Sequence, residues 1–269
     1  MKNESRIYAL FGNPVTQSLS PLMHNMVFSE LKIDASYRAI RIEDARGIPG
    51  QMRALGISGA SITIPHKTGI MPYLDTVSDS AERIGAVNTI THTDGRLLGD
   101  NTDWTGLVLA LSDALEVQGK RFVILGAGGA ARAAVYGIIN AGGTPVIVNR
   151  TKKKGEQIAR EFDCDFYPLD QIRRVTGDCL INTTPVGMFP DMDASPVDIK
   201  TLERFQWVMD TIYNPLETRL LKDATRAGLR TVSGDAMFVH QGAQQIRIWT
   251  GLEPPTELMK RVVLERLSE

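Results

Sequence analysis

The sequence contains very little cysteine, with only Cys164 and Cys179 in a chain of 269 residues. Neither residue lies in the paired spacing of a zinc or redox motif, which argues against both kinds of site. We interpret the two thiols as small buried hydrophobic side chains, and we expect the protein to work in the reducing cytoplasm.

Long hydrophobic runs are also missing. No stretch approaches the roughly 18 consecutive apolar residues of a membrane-spanning helix. The apolar segment near the N-terminus is broken by Gly12 and Pro14, and it is too short for a signal peptide. We therefore expect no membrane association.

Charge of either sign is not in excess, because 30 Lys and Arg residues oppose 31 Asp and Glu residues. A formal net charge of -1 provides no global attraction to nucleic acid or to an anionic membrane. The histidines His24, His66, His92 and His240 lack metal-ligand spacing, so no metal site is predicted. We expect a small-molecule substrate held by a local site, and a monomer or a homodimer.

The length suggests about two domains, at roughly 150 residues each. In the first hundred residues, strand-like runs such as RIYALFG, SYRAIRI, ASITI and AVNTITHT alternate with helix-like ones. From Arg121 onward, the runs FVIL, PVIVN, CLIN and WVMD each end at a turn or loop, which predicts a parallel sheet covered by helices. The tail from Asp235 predicts two helices, interrupted at residues 251–255.

The strongest local signal is the glycine-rich turn in RFVILGAGGAARAA. Gly126, Gly128 and Ala131 fit the pattern G-x-G-x-x-A after an apolar strand and at the head of an Ala-rich helix. In this setting, backbone N–H groups can approach a pyrophosphate at the helix N-terminus. The turn therefore predicts a Rossmann-like, doubly wound dinucleotide-binding domain; the alternative is a tight turn without a ligand.

The end of the next strand, PVIVNRT, indicates which dinucleotide binds. An NAD site would place Asp or Glu there, about 20 residues after the glycines, to bind the ribose 2′-hydroxyl. Asn149, Arg150 and Thr151 occupy the position instead and are followed by three lysines. Cations suit a 2′-phosphate, so we predict NADP, with Arg150 and Thr151 as ligands. Lys152 and Lys153 are better interpreted as a solvated helix start.

A lysine follows an apolar run in SGASITIPHKTG, residues 58–69. The alternation predicts that Ile62 and Ile64 are buried in a sheet. Lys67 then follows the end of the predicted strand, a rigid place from which a side chain can be aimed into a cleft. For this segment alone, the alternative is a surface lysine or a lysine at a helix start.

Two serines stand at the start of a predicted helix. Ser20 before Pro21 is typical of an N-cap followed by proline at the first helical position, whereas Ser18 has no such duty. Hydroxyl groups beside a helix N-terminus also suit a carboxylate ligand. Both roles are open to Ser20.

Taken together, these segments resemble those of the shikimate dehydrogenase family, and the resemblance runs nearly from end to end. The motifs that carry it are SLSPLMHN at 18–25, TIPHK at 63–67, AVNT at 86–89, DNTDWTG at 100–106, GAGGAARA at 126–133, NRT at 149–151, NTTPVGM at 182–188, YNP at 213–215 and HQGAQQ at 240–245.

The resemblance implies reversible hydride transfer between NADPH and the C3 carbonyl of 3-dehydroshikimate, which gives shikimate. Such a transfer needs a proton delivered to the carbonyl oxygen, and a lysine oriented by a carboxylate can supply it. Lys67 resembles the catalytic lysine of the family, and Asp103 resembles its carboxylate partner.

The resemblance also implies a set of substrate ligands. Ser18 and Ser20 would hold the acid group, with Tyr213 nearby, and the uncharged Thr63, Asn88 and Gln241 would contact hydroxyl groups. Asp103 is shared between the catalytic and substrate-binding sets. Gln245, one turn after Gln241, is either a supporting residue or an exposed one.

The implied cofactor site draws on three parts of the second domain. Its residues are Gly126, Ala127, Gly128, Gly129, Ala130, Asn149, Arg150, Thr151, Lys154, Met188 and Gly234. Met188 would lie beside the nicotinamide. Lys154 departs from the family, which often has a second arginine there, and lysine lacks the planar fork for a phosphate.

Because Gln241 must reach a site built by the first hundred residues, we predict a discontinuous α/β substrate domain. It comprises residues 1–105 and 235–269 and flanks a Rossmann-like NADP-binding domain of residues 106–234, with the cleft between them. The predicted activity is that of an NADP-dependent shikimate dehydrogenase in chorismate and aromatic amino acid biosynthesis.

Three alternatives are weighed against this prediction. A quinate/shikimate dehydrogenase that prefers NAD should have an acid near Arg150, but the first acidic residue is Glu156. A methylenetetrahydrofolate dehydrogenase would not explain the SLSP and NTD motifs together. A non-catalytic NADPH-binding paralogue could lose Lys67 or Asp103, and both are present.

Overall fold

The computed structural model describes residues 5–268 and divides the chain into two compact units. The first unit runs to Thr102 and resumes at Gln241, and the second runs from Asp103 to His240. Each contains its own six-stranded sheet. The predicted boundaries followed residue 105 and preceded residue 235, a few residues away from these divisions.

The first unit mixes parallel and antiparallel strands. Its elements are β1 (Arg6–Gly12), α1 (Ser20–Glu30), β2 (Ala35–Arg41), α2 (Ile48–Ala54), β3 (Ile57–Ile62), β4 (Thr76–Val77), α3 (Asp79–Ile84), β5 (Thr89–Thr93) and β6 (Arg96–Asp100). The strand order is β2-β1-β3-β5-β6-β4, with β5 antiparallel to both of its neighbours.

The second unit is a doubly wound parallel sheet. Its elements are α4 (Asp103–Ser112), β7 (Arg121–Leu125), α5 (Gly129–Asn140), β8 (Thr144–Asn149), α6 (Lys152–Phe162), β9 (Asp165–Pro168), β10 (Cys179–Asn182), α7 (Ile199–Leu202), β11 (Trp207–Asp210), α8 (Arg219–Arg226) and β12 (Arg230–Val232). The strand order is β12-β11-β10-β7-β8-β9. The order reverses beside β7, which is where ligands bind in sheets of this kind.

Two helices close the chain, α9 (Gly234–Thr250) and α10 (Thr256–Ser268). The change of unit falls within α9, between His240 and Gln241. The predicted α/β fold and the two terminal helices are confirmed.

The apolar strands of the second unit explain its core. Phe122 and Ile124 belong to one hydrophobic cluster, and Val123 and Leu125 belong to another. Since successive side chains point to opposite faces, β7 is buried on both faces, as expected for a parallel strand covered by helices.

One predicted core residue is exposed. Ile62 is buried, but β3 ends there and Ile64 is 52% exposed. The chain turns directly after the strand, and the His66 N–H donates to the Thr63 carbonyl at 2.9 Å. The alternating pattern therefore continued two residues beyond the strand, and the prediction for Ile64 was wrong.

The cap of α1 is also different from the prediction. Helix α1 begins at Ser20 itself, and no side chain of the preceding residue, Leu19, caps it. Instead, the Ser18 hydroxyl accepts the Ser20 N–H at 3.2 Å and donates to the Ser20 hydroxyl, also at 3.2 Å. The hydroxyl that satisfies a first-turn N–H therefore belongs to Ser18.

This arrangement predicts which serine stabilises the helix. Ser18→Ala should lower the free energy of unfolding by about 1 kcal/mol, the usual scale of a lost helix cap, because it leaves the Ser20 N–H without its acceptor. Ser20→Ala should cost clearly less, and the exposed Ser29→Ala serves as a control within the same helix. Chemical denaturation measures all three, and a larger loss for Ser20→Ala would contradict the assignment.

Candidate active site

The segment 86–89 connects the predicted site residues of the first unit. The Val87 N–H donates to the Lys67 carbonyl at 2.8 Å, and the Asn88 N–H donates to the Asp100 carbonyl at 3.1 Å. The Asn88 carbonyl in turn accepts the Ile62 N–H at 2.7 Å. The loop that carries Lys67, the end of β3 and the end of β6 are thereby fixed to one short segment.

The Asn88 side chain, only 2% exposed, uses both ends of its amide. Its Oδ1 accepts the Thr102 N–H at 2.7 Å and the Thr89 hydroxyl at 2.7 Å. Its Nδ2 donates to Thr102 Oγ1 at 3.0 Å and to Gln241 Oε1 at 3.5 Å. Two predicted substrate ligands, Asn88 and Gln241, therefore lie together, and their mutual contact is the longest of the set.

A second asparagine repeats the connection. Asn101 Nδ2 donates to the Ala86 carbonyl at 2.8 Å. The AVNT and NTD motifs are thus joined at Asn88 and at Asn101. Thr102 is followed directly by Asp103, a buried residue that begins α4. The position of this carboxylate along the chain therefore depends on the same hydrogen bonds.

Lys67 lies in a tight loop beyond β3 and is partly buried. The Ile70 N–H donates to the His66 carbonyl at 2.9 Å, and the His66 ring Nε2 contacts the Ile42 carbonyl at 2.8 Å. The loop is held on both sides of the lysine. This local rigidity suits a side chain that must be aimed at a reacting atom.

Thr63 is placed by a glycine that the sequence reasoning did not single out. The Thr63 N–H donates to the Phe11 carbonyl at 2.9 Å, at the end of β1. A Cβ added to Gly12 would lie only 2.3 Å from Thr63 Cγ2. Gly12 therefore provides the space for Thr63, and no motif in the sequence pointed to it.

Gln245 is a buried supporting residue, at 1% exposure. Its Oε1 accepts the Ser61 hydroxyl at 2.8 Å, and its Nε2 donates to the Asn88 carbonyl at 3.2 Å and to Thr89 Oγ1 at 3.0 Å. The Tyr37 hydroxyl extends the network to Ser61 at 2.6 Å. Because Gln241 lies one turn earlier in α9, this network also fixes the helix that carries Gln241.

The glycine turn of the second unit fits a dinucleotide. Gly126 has φ of +124°, and a Cβ there would lie 2.5 Å from Thr183 Oγ1, so only glycine suits the position. A Cβ added to Gly128 would meet nothing within 4 Å. In the described part of the chain, no side chain caps α5, whose first residue is Gly129. Space and N–H groups for a pyrophosphate are therefore present together with Ala127 and Ala130.

The predicted 2′-phosphate residues lie at the carboxyl end of β8, the strand next to β7. Arg150 and Thr151 are exposed, and Asn149 is half-buried, with its Nδ2 donating to the Thr151 carbonyl at 2.9 Å. Lys154 is also exposed, in the first turn of α6. Lys152 pairs with Glu156 at 3.7 Å across one helical turn, as expected for a solvated helix start.

The other predicted residues of the second unit have packing roles in the structure. A Cβ added to Gly234 would lie 2.4 Å from the Ile212 carbonyl oxygen, so close packing already requires glycine there. The Tyr213 ring stacks on Phe238 with the centroids 4.1 Å apart. Met188 is half-buried in the loop after β10. Contacts of these residues with ligands remain predictions.

The two cysteines do not contribute a reactive thiol. Cys179 is buried and Cys164 is partly buried. Burial raises the pKa of Cys164 to about 11, with Asp165 and Asp163 adding to the effect. Within residues 5–268, no cluster of three or more His, Cys, Asp or Glu side chains could hold a metal ion, and no helix is both long and apolar enough to cross a membrane.

The doubly wound unit with an open glycine turn, and a second unit that carries a fixed lysine and an amide cluster, define a two-domain nicotinamide-nucleotide dehydrogenase. Family models support a more specific assignment. "Shikimate dehydrogenase substrate binding domain" matches residues 10–90, and "Shikimate 5'-dehydrogenase C-terminal domain" matches residues 236–264. The chain belongs to the shikimate dehydrogenase family.

Individual relatives agree with this assignment. A Geobacillus protein named shikimate dehydrogenase (NADP(+)) is 44% identical over 97% of this chain and 99% of its own. The Thermus thermophilus shikimate 5-dehydrogenase, solved with NADP(H) and shikimate, is 35% identical with a TM-score of 0.89, covering 97% of this chain and 99% of its own. A Gluconobacter 5-ketofructose reductase is 31% identical with a TM-score of 0.84, covering 98% and 99%.

Proposed function

We propose that the protein is an NADP-dependent shikimate dehydrogenase, which reversibly reduces 3-dehydroshikimate to shikimate in chorismate and aromatic amino acid biosynthesis. The observation that carries the proposal is the hydrogen-bonded segment 86–89. It fixes the Lys67 loop and the residue before Asp103 to the same buried asparagine, Asn88. A location in the cytoplasm and a monomeric or homodimeric state remain predictions.

The residues of the first unit bind and orient the substrate in this proposal. Ser18 and Ser20 receive the substrate carboxylate, and Thr63, Asn88 and Gln241 contact its hydroxyl groups. The amides can both donate and accept, as a polyhydroxylated ring requires. This set of ligands places the C3 carbonyl at Lys67, with Tyr213 near the carboxylate.

Lys67 handles the proton. Its ammonium group donates to the C3 oxygen during reduction, and the neutral amine takes the proton back from the C3 hydroxyl during oxidation. The Asp103 carboxylate orients the amine. NADPH, when bound, supplies the hydride that reduces C3.

The second unit holds the cofactor in this proposal. The N–H groups of the turn formed by Gly126, Ala127, Gly128, Gly129 and Ala130 would receive the pyrophosphate at the start of α5. Arg150 and Thr151, with Asn149 and Lys154 beside them, would hold the 2′-phosphate. Met188 and Gly234 would lie near the nicotinamide.

A second candidate function is reduction of a neutral keto-sugar, because the 5-ketofructose reductase of similar fold covers nearly the whole chain. The two functions differ in one chemical respect. 3-Dehydroshikimate carries a carboxylate, and an uncharged keto-sugar does not. The paired hydroxyls of Ser18 and Ser20, 3.2 Å apart, favour a substrate with an acid group.

Loss of the lysine tests the proposed chemistry. Lys67→Ala should lower kcat by roughly two to four orders of magnitude, because the general acid/base is lost, while the binding of shikimate weakens far less. Lys152→Ala is the matched control, since that lysine is exposed and paired with Glu156. Steady-state kinetics with shikimate and NADP measure both variants. Near-normal turnover of Lys67→Ala would remove Lys67 from the chemistry.

Cofactor choice provides an independent test. Arg150→Ala should weaken the binding of NADP by about 1.5–3 kcal/mol, the scale of a charged hydrogen bond, because it removes a ligand of the 2′-phosphate. Binding of NAD, which lacks this phosphate, should be almost unchanged. Titration calorimetry with both cofactors, and with Lys153→Ala as the control, measures the difference. Equal losses for NADP and NAD would assign Arg150 to the fold or to the adenine.

The serine pair is tested with an altered substrate. Ser18→Ala should raise the KM for shikimate, whereas a shikimate analogue with a neutral group in place of the carboxylate should bind poorly to the wild type and respond little to Ser18→Ala. The kinetics are measured well below the unfolding temperature, because Ser18 also supports α1. If the analogue bound as well as shikimate, the serines would not be the carboxylate site, and a neutral keto-sugar would become the better candidate.

A further inference from the structure

A fully buried carboxylate lies at the carboxyl end of β11, outside the set of residues described above. Asp210 Oδ1 accepts the Asn182 side-chain Nδ2 at 3.1 Å and the Ile212 N–H at 3.0 Å. Its Oδ2 accepts the Thr218 hydroxyl at 2.7 Å. A buried charge held only by neutral donors is costly, so the position needs an explanation beyond core packing.

The Asn182 amide relays the position of Asp210 to the loop after β10, residues 183–188. Asn182 Oδ1 accepts the Thr184 N–H at 3.0 Å and the Thr184 hydroxyl at 2.7 Å. Its Nδ2 also donates to the Val186 carbonyl at 3.3 Å. An ionised carboxylate only accepts hydrogen bonds, so it forces the NH₂ group of Asn182 toward Asp210 and the oxygen toward Thr184.

The ionisation state fits this role. Burial raises the pKa of Asp210 to about 6, although the hydrogen bonds from Ile212, Thr218 and Asn182 oppose the rise. Above that pH the group is ionised and accepts from all three donors. The orientation of the Asn182 amide is then set by chemistry as well as by space.

The 183–188 loop lies at the point where the sheet order reverses. The Thr183 N–H and hydroxyl both donate to the Leu125 carbonyl, at 3.0 and 2.6 Å. Leu125 directly precedes Gly126, so the loop contacts the glycine turn proposed for the pyrophosphate. In a doubly wound sheet, a dinucleotide crosses this reversal point, with one half on each side of it.

We propose that Asp210 is a positioning residue, which acts through Asn182 to fix the 183–188 loop and so the place of the nicotinamide ring. This inference rests on the proposed function only in taking NADP as the cofactor and Met188 as the residue beside its ring. Asp210 itself touches neither substrate nor cofactor in this role.

The test compares two replacements of the carboxylate. Asp210→Ala should reduce the rate of hydride transfer roughly 10- to 100-fold, the scale of a small misplacement of a reacting group. Asp210→Asn should restore most of it, because the amide oxygen can face Asn182 and Ile212 while the NH₂ group faces the Thr218 hydroxyl. Thr218→Val, which leaves the Asn182 bond in place, is the matched control and should stay near wild type.

The measurement separates positioning from a general loss of structure. With NADPH deuterated at the transferred position, Asp210→Ala should show a larger isotope effect on kcat than the wild type, whereas the KM for the ketone should change little. If Asp210→Ala does not fold, Thr184→Val interrupts the same relay at the partly buried loop and should show the same enlarged isotope effect.

Contrary outcomes are equally clear. An Asp210→Asn variant as impaired as Asp210→Ala, or an unchanged isotope effect in folded Asp210→Ala and Thr184→Val, would overturn the inference. The binding of NADPH alone, followed by its fluorescence, is compared between wild type and variants in the absence of substrate. If the wild type did not turn over shikimate, the proposed function would fail, while this binding comparison would still decide whether the relay shapes the cofactor site.

Discussion

The hydrogen bonds of segment 86–89 are the constraint on which the site of the first unit depends. Through its main chain, this segment holds the loop of Lys67, the end of β3 and the end of β6, and through Asn88 it holds Thr102 and approaches Gln241. Four stretches that are distant in sequence are thereby placed around one buried amide. Since an unmade buried hydrogen bond costs about 1–3 kcal/mol, the arrangement has few alternatives.

Both units use a buried asparagine in the same way. Asn88 accepts a main-chain N–H from the segment before Asp103, and Asn182 accepts the Thr184 N–H in the loop before Met188. In each case, a neighbouring side chain fixes the orientation of the amide: Thr89 and Thr102 for Asn88, and Asp210 for Asn182. Buried polar networks that are fully satisfied are rigid, which suits sites that must align a hydride donor with a carbonyl carbon.

The sequence predicted the features that depend on local periodicity and on short motifs. The apolar strands, the glycine turn at Gly126 and the solvated start of α6 at Lys152 all follow from neighbouring residues, and the family followed from the ordered motifs. Ile64 and Ser20 were placed wrongly, because a strand end and a helix cap depend on the turn that the chain makes beyond the pattern. Gly12, Gln245 and Asp210 act through contacts with residues far away in sequence, and no local pattern announces such contacts.

The most direct test of the central claim is an assay of the purified wild-type protein with shikimate and either NADP or NAD, followed by the absorbance of the reduced nicotinamide. We expect reduction of NADP that requires shikimate, a much lower rate with NAD, and no reaction when a neutral polyol replaces shikimate. A folded protein that binds NADP yet fails to oxidise shikimate, or that oxidises the neutral polyol instead, would contradict the claim.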